Sequence, residues 1–229
     1  MSDDHSFAEL IAKIGHELRS PLTSVRGFSS TLVQRWERFD DAQKRGFVHT
    51  IHQEAERMTR IVSEVLDLAR VTSGDLQLQR GPVEVATVAA AARARLGGLS
   101  GAERVRLDVP EDLLVDADRN RLEQMLFLLL ENAVRFSDAG AVTLTAAKGP
   151  DATTEIAVKD AGPGIEQARL ETLFSGPNES PTKASPRGSG LGLLLCRQLA
   201  EAHGGSIGVT SGPGVGSTFR IRLPAPEQA

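Results

Sequence analysis

His16 and Glu17 stand side by side in the string His16-Glu17-Leu18-Arg19-Ser20-Pro21-Leu22. A carboxylate can hold one imidazole nitrogen protonated and leave the other free to attack, so the pair is a candidate nucleophile. Pro21 has no N–H for the carbonyl of Glu17, so a helix here should bend or loosen next to His16. At about 100° per residue, His16 points away from Phe7, Ile11, Ile14, Leu18, Leu22, Val25 and Leu32, and therefore toward solvent. Exposed histidines are usually plain surface residues, and His5, His49, His52 and His203 are read that way. The string around His16 sets it apart.

Three further clusters lie later in the chain. Leu129-Leu130-Glu131-Asn132-Ala133-Val134-Arg135-Phe136 falls late on a helix, Asp160-Ala161-Gly162-Pro163-Gly164 follows a strand, and Gly188-Ser189-Gly190-Leu191-Gly192-Leu193 opens a helix. Glycines let backbone N–H groups approach phosphates, and a helix N-terminus adds positive partial charge. Asp160 can accept from the exocyclic amine of a purine. Asn132 offers a neutral oxygen to a hard ion such as Mg²⁺. Arg135 can meet phosphate, and Phe136 can stack on a base. Lys183 and Arg187, the cations of a Ser- and Pro-rich loop, are further phosphate candidates. Each cluster alone reads equally as a helix end, a turn or a solvated loop. The glycine run is neither a Walker A loop nor the dinucleotide fingerprint.

Taken together, the motifs resemble a known pattern. The first string resembles the H-box of sensor histidine kinases, whose histidine is the phosphoacceptor. The three clusters, in order and spacing, resemble the N, G1 and G2 boxes of the GHKL ATP-binding fold shared with DNA gyrase and mismatch-repair ATPases. Gly216-Ser217-Thr218-Phe219 resembles that family's last motif. The resemblance runs from about Phe7 to Pro224. It implies a dimerisation and phosphotransfer domain over 1–74, a linker over 75–82, a catalytic ATP-binding domain over 83–224 and a tail over 225–229. It further implies that His16 takes the γ-phosphoryl of Mg-ATP, with Glu17 orienting and deprotonating the imidazole. Thr218 would lie near the adenine, and the group would pass to an aspartate on the receiver domain of a response regulator. Ser20 stands where the family often has Thr or Asn, a position that can hold a water for removing phosphate from the partner.

Two departures qualify this. Leu128 stands where histidine kinases usually have a second Asn and gyrase-like ATPases a glutamate base; a leucine activates no water. The loop 175–187 lacks the family's second Phe and following basic residue. Both departures fit an alternative: a degenerate kinase that dimerises and docks a regulator with weak or no ATP turnover.

The elements that must position these residues follow from periodicity. Helices are expected over about Ser6–Arg35 and Asp41–Val71, both with 3,4 apolar spacing. Asp40 or Asp41 should cap the second, and Gly74 should stop it. Two such helices cannot bury both apolar stripes alone, so a hairpin that dimerises into a four-helix bundle is expected. Beyond it, strands are expected over Val105–Val109, Leu113–Ala117, Val142–Ala147, Thr154–Lys159, Ser206–Thr210 and Thr218–Leu223. Helices are expected over Val83–Leu96, Arg119–Phe136, Glu166–Phe174 and Gly190–Ala202, with Arg80-Gly81-Pro82 as a turn. This order gives an α/β sandwich with a mixed sheet.

Composition excludes other classes. The 229 residues are 40% apolar and 24% charged, which fits folded domains rather than a disordered chain. Net charge is −4, against a phosphate-binding nucleic-acid partner. The longest apolar run, Met125–Leu130, is far below the roughly 18 residues a membrane span needs. The acidic start, Met1-Ser2-Asp3-Asp4, has no signal-peptide character. A single cysteine, Cys196, suits a reducing compartment, so the expected location is cytoplasmic, either free or as the cytoplasmic part of a longer, membrane-anchored sensor.

Overall fold

The structure is a computed structural model that describes residues 2–137, 139–174 and 190–227, without the side chains of 2–10 and 13. Lys183, Arg187 and Gly188 lie outside the described residues, as do the side chains of Phe7 and Leu10. The chain divides into two compact units, 1–67 and 68–229.

The first unit is a helical hairpin. Helix α1 (Ser2–Arg35) and helix α2 (Asp41–Thr72) are joined through a short 3₁₀ turn, Trp36–Arg38. Asp40 caps α2 reciprocally. Its Oδ1 accepts from the Gln43 N–H at 2.8 Å, and its own N–H donates to Gln43 Oε1 at 3.1 Å. Phe28 stacks on Phe47 at 5.5 Å between ring centroids, and Phe39 meets Phe47 edge-on at 5.0 Å, so the connection is packed. At its far end α2 stops at Gly74, whose φ of 76° is the left-handed conformation glycine adopts without strain. Helix α1 runs through Pro21 without interruption, and Pro21 is buried.

Not every residue of the apolar stripes is covered. Leu32, Ile61 and Leu68 are buried, but Ile11, Leu22 and Val33 on α1 and Val48, Val62 and Leu66 on α2 are exposed. Ile11, Leu22 and Val33 recur every three helical turns and so form one line along α1.

The second unit carries a five-stranded mixed sheet in the order β2-β4-β5-β7-β6. Its strands are β2 (Val105–Asp108), β4 (Val142–Lys148), β5 (Thr153–Lys159), β6 (Ser206–Ser211) and β7 (Ser217–Pro224). β2 runs parallel to β4, and the other pairs are antiparallel. Helices α3 (Val85–Ala94), α4 (Arg119–Phe136) and α6 (Gly192–Ala202) pack with α4 between the other two. Their buried faces meet those of the strands in one core. Leu122, Met125, Leu126, Leu129 and Leu130 of α4 are fully buried in it, with Leu144, Ile156 and Ile221 of the sheet. The α/β sandwich with a mixed sheet is therefore the observed architecture.

Some boundaries differ from the sequence reading. Residues 80–82 are not a turn. They open a strand, β1 (Arg80–Glu84), which pairs antiparallel with β3 (Leu114–Asp118) in a separate two-stranded sheet. Pro82 is tolerated because a two-stranded sheet leaves edge positions that need no N–H. Helix α3 accordingly starts at Val85 rather than Val83. The helix expected over Glu166–Phe174 is one turn, α5 (Gln167–Leu170). Arg169, Thr172 and Leu173 donate to carbonyls three residues back, a tighter pattern that does not propagate as α-helix. Gly190 lies before α6, with φ of 68°.

Candidate functional site

Asp160 directly follows strand β5 and anchors the second unit's site. Its Oδ1 accepts from the Gly162 N–H at 2.8 Å and from the Ser217 N–H at 3.2 Å. The residue is 4% exposed. Burial pushes its carboxyl above the ordinary value, and the two backbone donors only partly oppose this.

The glycine loop after Asp160 is laced to the loop between β6 and β7. Gly214 N–H donates to Pro163 O at 2.7 Å, and Ile165 N–H to Ser211 Oγ at 2.9 Å. A Cβ at Gly162 would overlap the carbonyl of Phe136, and one at Gly164 would overlap that of Gly212. Glycine at these two positions is a requirement of close approach. Thr218 pairs with Lys159 across β5 and β7, one residue from Asp160 in the register, and is half-buried.

The end of α4 forms the adjoining wall. Phe136 is 46% exposed, and its carbonyl lies over Gly162. Asn132 is half-buried one turn earlier. One turn before that, Leu128 is buried, and its Cδ2 would stand 3.3 Å from a Cβ at Gly192. Leu128 thus packs beneath the first turn of α6, which begins after Gly190 and the buried Leu191. The structure therefore brings together Asn132, Phe136, Asp160, Gly162, Gly164 and Thr218, with Gly190, Leu191 and Gly192 at the start of α6. Arg135 is turned elsewhere: its Nη2 donates to Glu131 Oε1 at 2.8 Å. That pairing competes with the phosphate contact expected of Arg135.

Among the described residues no cluster of three or more His, Cys, Asp or Glu could cage a metal ion. Among the described residues the expected metal contact is the amide oxygen of Asn132, a donor that suits a hard ion keeping most of its shell as water and phosphate oxygen.

Sequence reasoning missed the group that ties this unit together. His203, read as a surface residue, is buried at the C-terminal end of α6. Its Nδ1 lies 2.7 Å from Leu199 O and its Nε2 accepts from the Asp118 N–H at 3.1 Å, so the neutral Nδ1–H tautomer is the one the contacts require. Burial lowers its pKa first of all; the Leu199 carbonyl opposes this, Arg80 lowers it further, and Asp118 and Asp116 raise it. Asp118 in turn caps α4 through the Asn120 and Arg121 N–H groups, and accepts from Gln79 N–H at 2.9 Å. Burial pushes the Asp118 carboxyl up, but those three backbone donors and the Arg121 charge outweigh it and hold it below the usual range. A polar residue before Gly204-Gly205 was the only local signal.

In the first unit, His16 is exposed and Ser20 is exposed four residues on, and the next residue, Pro21, is buried. Arg19 Nη1 lies 3.4 Å from His16 Nδ1. Glu17 does not contact the ring as expected: its Oε2 accepts from Arg57 Nη2 of α2 at 2.9 Å.

Two family models match. The His Kinase A (phospho-acceptor) domain matches residues 8–74, and the histidine kinase-, DNA gyrase B- and HSP90-like ATPase domain matches residues 117–227. Histidine protein kinase DivJ of Caulobacter vibrioides is 35% identical over 95% of this chain, and the chain spans 37% of that protein's length. The structure of the Acinetobacter baumannii histidine kinase AdeS superposes with a TM-score of 0.72 at 23% identity, over 92% of this chain and 98% of that one. Histidine kinase ThkA, solved in complex with response regulator protein TrrA, gives a TM-score of 0.70 at 21% identity, over 98% of this chain and 63% of that one. With both domain types present in this order, the chain belongs to the sensor histidine kinases and constitutes their catalytic core.

Proposed function

We propose that this chain transfers the γ-phosphoryl group of ATP to His16, and from there to an aspartate of a response regulator. The observation that carries the reading is the exposed His16 of the phospho-acceptor domain on the same chain as an ATPase-fold site built around Asp160. A ring nitrogen of His16 attacks the γ-phosphorus, the bond to the β-phosphate oxygen breaks, and its electron pair leaves with ADP. Catalysis of this step is mostly positioning and charge neutralisation. Asp160 accepts from the purine amine, while Phe136 and Thr218 bound the base. The backbone at Gly190–Gly192 and the start of α6 face the phosphates, with Lys183, Arg187 and Gly188 as their further contacts. Asn132 would hold Mg²⁺, which when bound neutralises phosphate charge. Ser20 keeps the hydroxyl needed to hold a water for dephosphorylating the regulator.

We read the working form as a homodimer, because the exposed line on α1 and the exposed apolar residues of α2 need a partner. The regulator reading is supported by the ThkA complex with TrrA, whose kinase shares this fold. Among the described residues no helix is long and apolar enough to cross a membrane, and we place the chain in the cytoplasm.

Incubation with labelled ATP and Mg²⁺ tests the reading. Acid-labile label should appear on the wild-type chain and vanish in His16→Gln. Asn132→Ala should abolish it too. Acid-stable label, or label that survives His16→Gln, overturns the assignment.

A further inference from the structure

The Arg57–Glu17 pair is sheltered, with side chains 16% and 28% exposed. Glu54, one turn earlier on α2 and 6% exposed, places its Oε2 3.7 Å from the Nη1 of the same guanidinium. Arg57 therefore stands between two carboxylates, one on each helix. Across α1, the contact from Arg19 fixes the other half of the problem. A guanidinium has donors and no acceptor, so His16 Nδ1 must accept from it. The neutral ring then carries its proton on Nε2. That nitrogen, at the far end of the ring from the backbone, is the one presented to a nucleotide. While protonated it has no lone pair with which to attack.

We propose that Arg57 is a positioning residue for phosphoryl transfer, set between Glu17 and Glu54 so that its choice of carboxylate decides whether Glu17 can take the Nδ1–H of His16. The proposal rests on the reading of His16 as the phosphoryl acceptor. In the arrangement observed, Glu17 is engaged by Arg57, and the 3.4 Å contact from Arg19 favours the tautomer with its proton on Nε2. When Arg57 moves to Glu54, its charge stays compensated in the sheltered site, where an unpaired guanidinium would be costly. Arg19, which is exposed, turns off Nδ1 into solvent; the ring gives up its Nε2 proton to solvent and takes one from solvent at Nδ1, where Glu17 now accepts it. The Nε2 lone pair forms the N–P bond, the P–O bond to ADP breaks with its electron pair going to ADP, and the Nδ1 proton passes to Glu17. Arg57 touches neither the nucleotide nor the ring in this scheme; it acts through Glu17. A purely structural bridge between α1 and α2 would leave the tautomer of His16 unaffected by its removal.

The test uses the full chain with ¹⁵N-labelled histidine. The ring nitrogen shifts of His16 report its tautomer without nucleotide, and labelled ATP reports the autophosphorylation rate. Arg57→Gln should move the ring toward Nδ1–H and raise the rate several-fold with the KM for ATP unchanged. Arg57→Lys, which keeps the charge, should return both readouts toward wild type. Glu54→Gln, nearly isosteric, leaves Glu17 as the better partner for Arg57 and should slow the reaction several-fold. Unchanged His16 shifts in Arg57→Gln overturn the proposal. So does a rate change of the same direction in Arg57→Gln and Glu54→Gln. Should Arg57→Gln fail to fold, an equal or faster rate in Glu54→Gln is enough to overturn it. A tautomer shift in Arg57→Gln with no label on wild-type His16 overturns the phosphoryl-transfer reading instead.

Discussion

Asp160 is arranged for binding at some cost to stability. A carboxyl whose folded pKa is raised contributes stability that is fully present below the unfolded value, 3.8. That contribution is lost as pH rises through the folded value. At neutral pH the buried charge is therefore a burden on the empty protein. An amide oxygen accepts from the Gly162 and Ser217 N–H groups as a carboxylate does, so Asp160→Asn should be as stable as wild type or more so at pH 7. The difference should close as pH falls below 3.8. The same variant should bind ATP at least ~10-fold more weakly, since a charged acceptor is lost to the purine amine. Urea unfolding across pH and nucleotide titration check the two halves. Gly162→Ala tests the neighbouring constraint. Its methyl group overlaps the Phe136 carbonyl, so ATP affinity should fall ~10-fold or more while the far-UV spectrum stays unchanged; unaltered affinity would show that the loop yields freely. These residues were legible in the sequence because an Asp-x-Gly-x-Gly string is local. What was less legible is what each side chain touches. Glu17 and Arg57 are 40 positions apart, and no spacing rule links them; Glu131 and Arg135, by contrast, stand four apart on one helix, a spacing that does favour their pairing.

At the level of elements, periodic segments were read closely, the expected strands included, each lying within one residue of its observed span at either end; the misses are β1 and the length of α5. Helix α4 occupies the span expected, Arg119–Phe136, because its apolar spacing and the preceding Asp118 cap agree. Strand β1 escaped notice because its order comes from pairing with β3, more than 30 residues on, while Gly81-Pro82 locally spells a turn. The junction of β1, β3, α4 and α6 also carries a pH dependence. His203 has a lowered folded pKa, so its stabilising contribution is fully present above the unfolded value of 6.5 and is lost as pH falls through the folded value. Protonation would turn Nε2 from acceptor to donor, facing the Asp118 N–H that now donates to it. Wild type should therefore lose stability on acidification from pH 7.5 toward 5. His203→Gln, with no titrating ring, should start less stable and show a flatter profile there. Chemical denaturation midpoints measured at matched salt decide it; parallel profiles for the two proteins would remove His203 as the cause.

The whole molecule poses a question of covered surface. A hairpin with Ile11, Leu22 and Val33 on one line of α1, and Val48, Val62 and Leu66 exposed on α2, leaves aligned apolar side chains of both helices in water, where a partner surface can cover them. A second copy offering the same two stripes would cover both by two-fold symmetry, because each stripe meets its counterpart without any further element. His16 lies off these stripes and would stay accessible in such a bundle. Leu22 is 54% exposed in the single chain and Leu66 55%, so charging either one costs the monomer little. In a dimer it would bury an unpaired carboxylate, which is strongly unfavourable. Leu22→Glu and Leu66→Glu should therefore each shift the chain from dimer to monomer in sedimentation experiments, with dissociation at least ~100-fold easier. Helix content should fall only slightly, and nucleotide binding by the second unit should be unchanged. Charging Val33, near the hairpin connection, should weaken the dimer less, because a substitution at the end of an interface is reached by water. A Leu22→Glu chain that sediments as the wild type does would place the partner surface elsewhere and leave the exposed line on α1 unexplained.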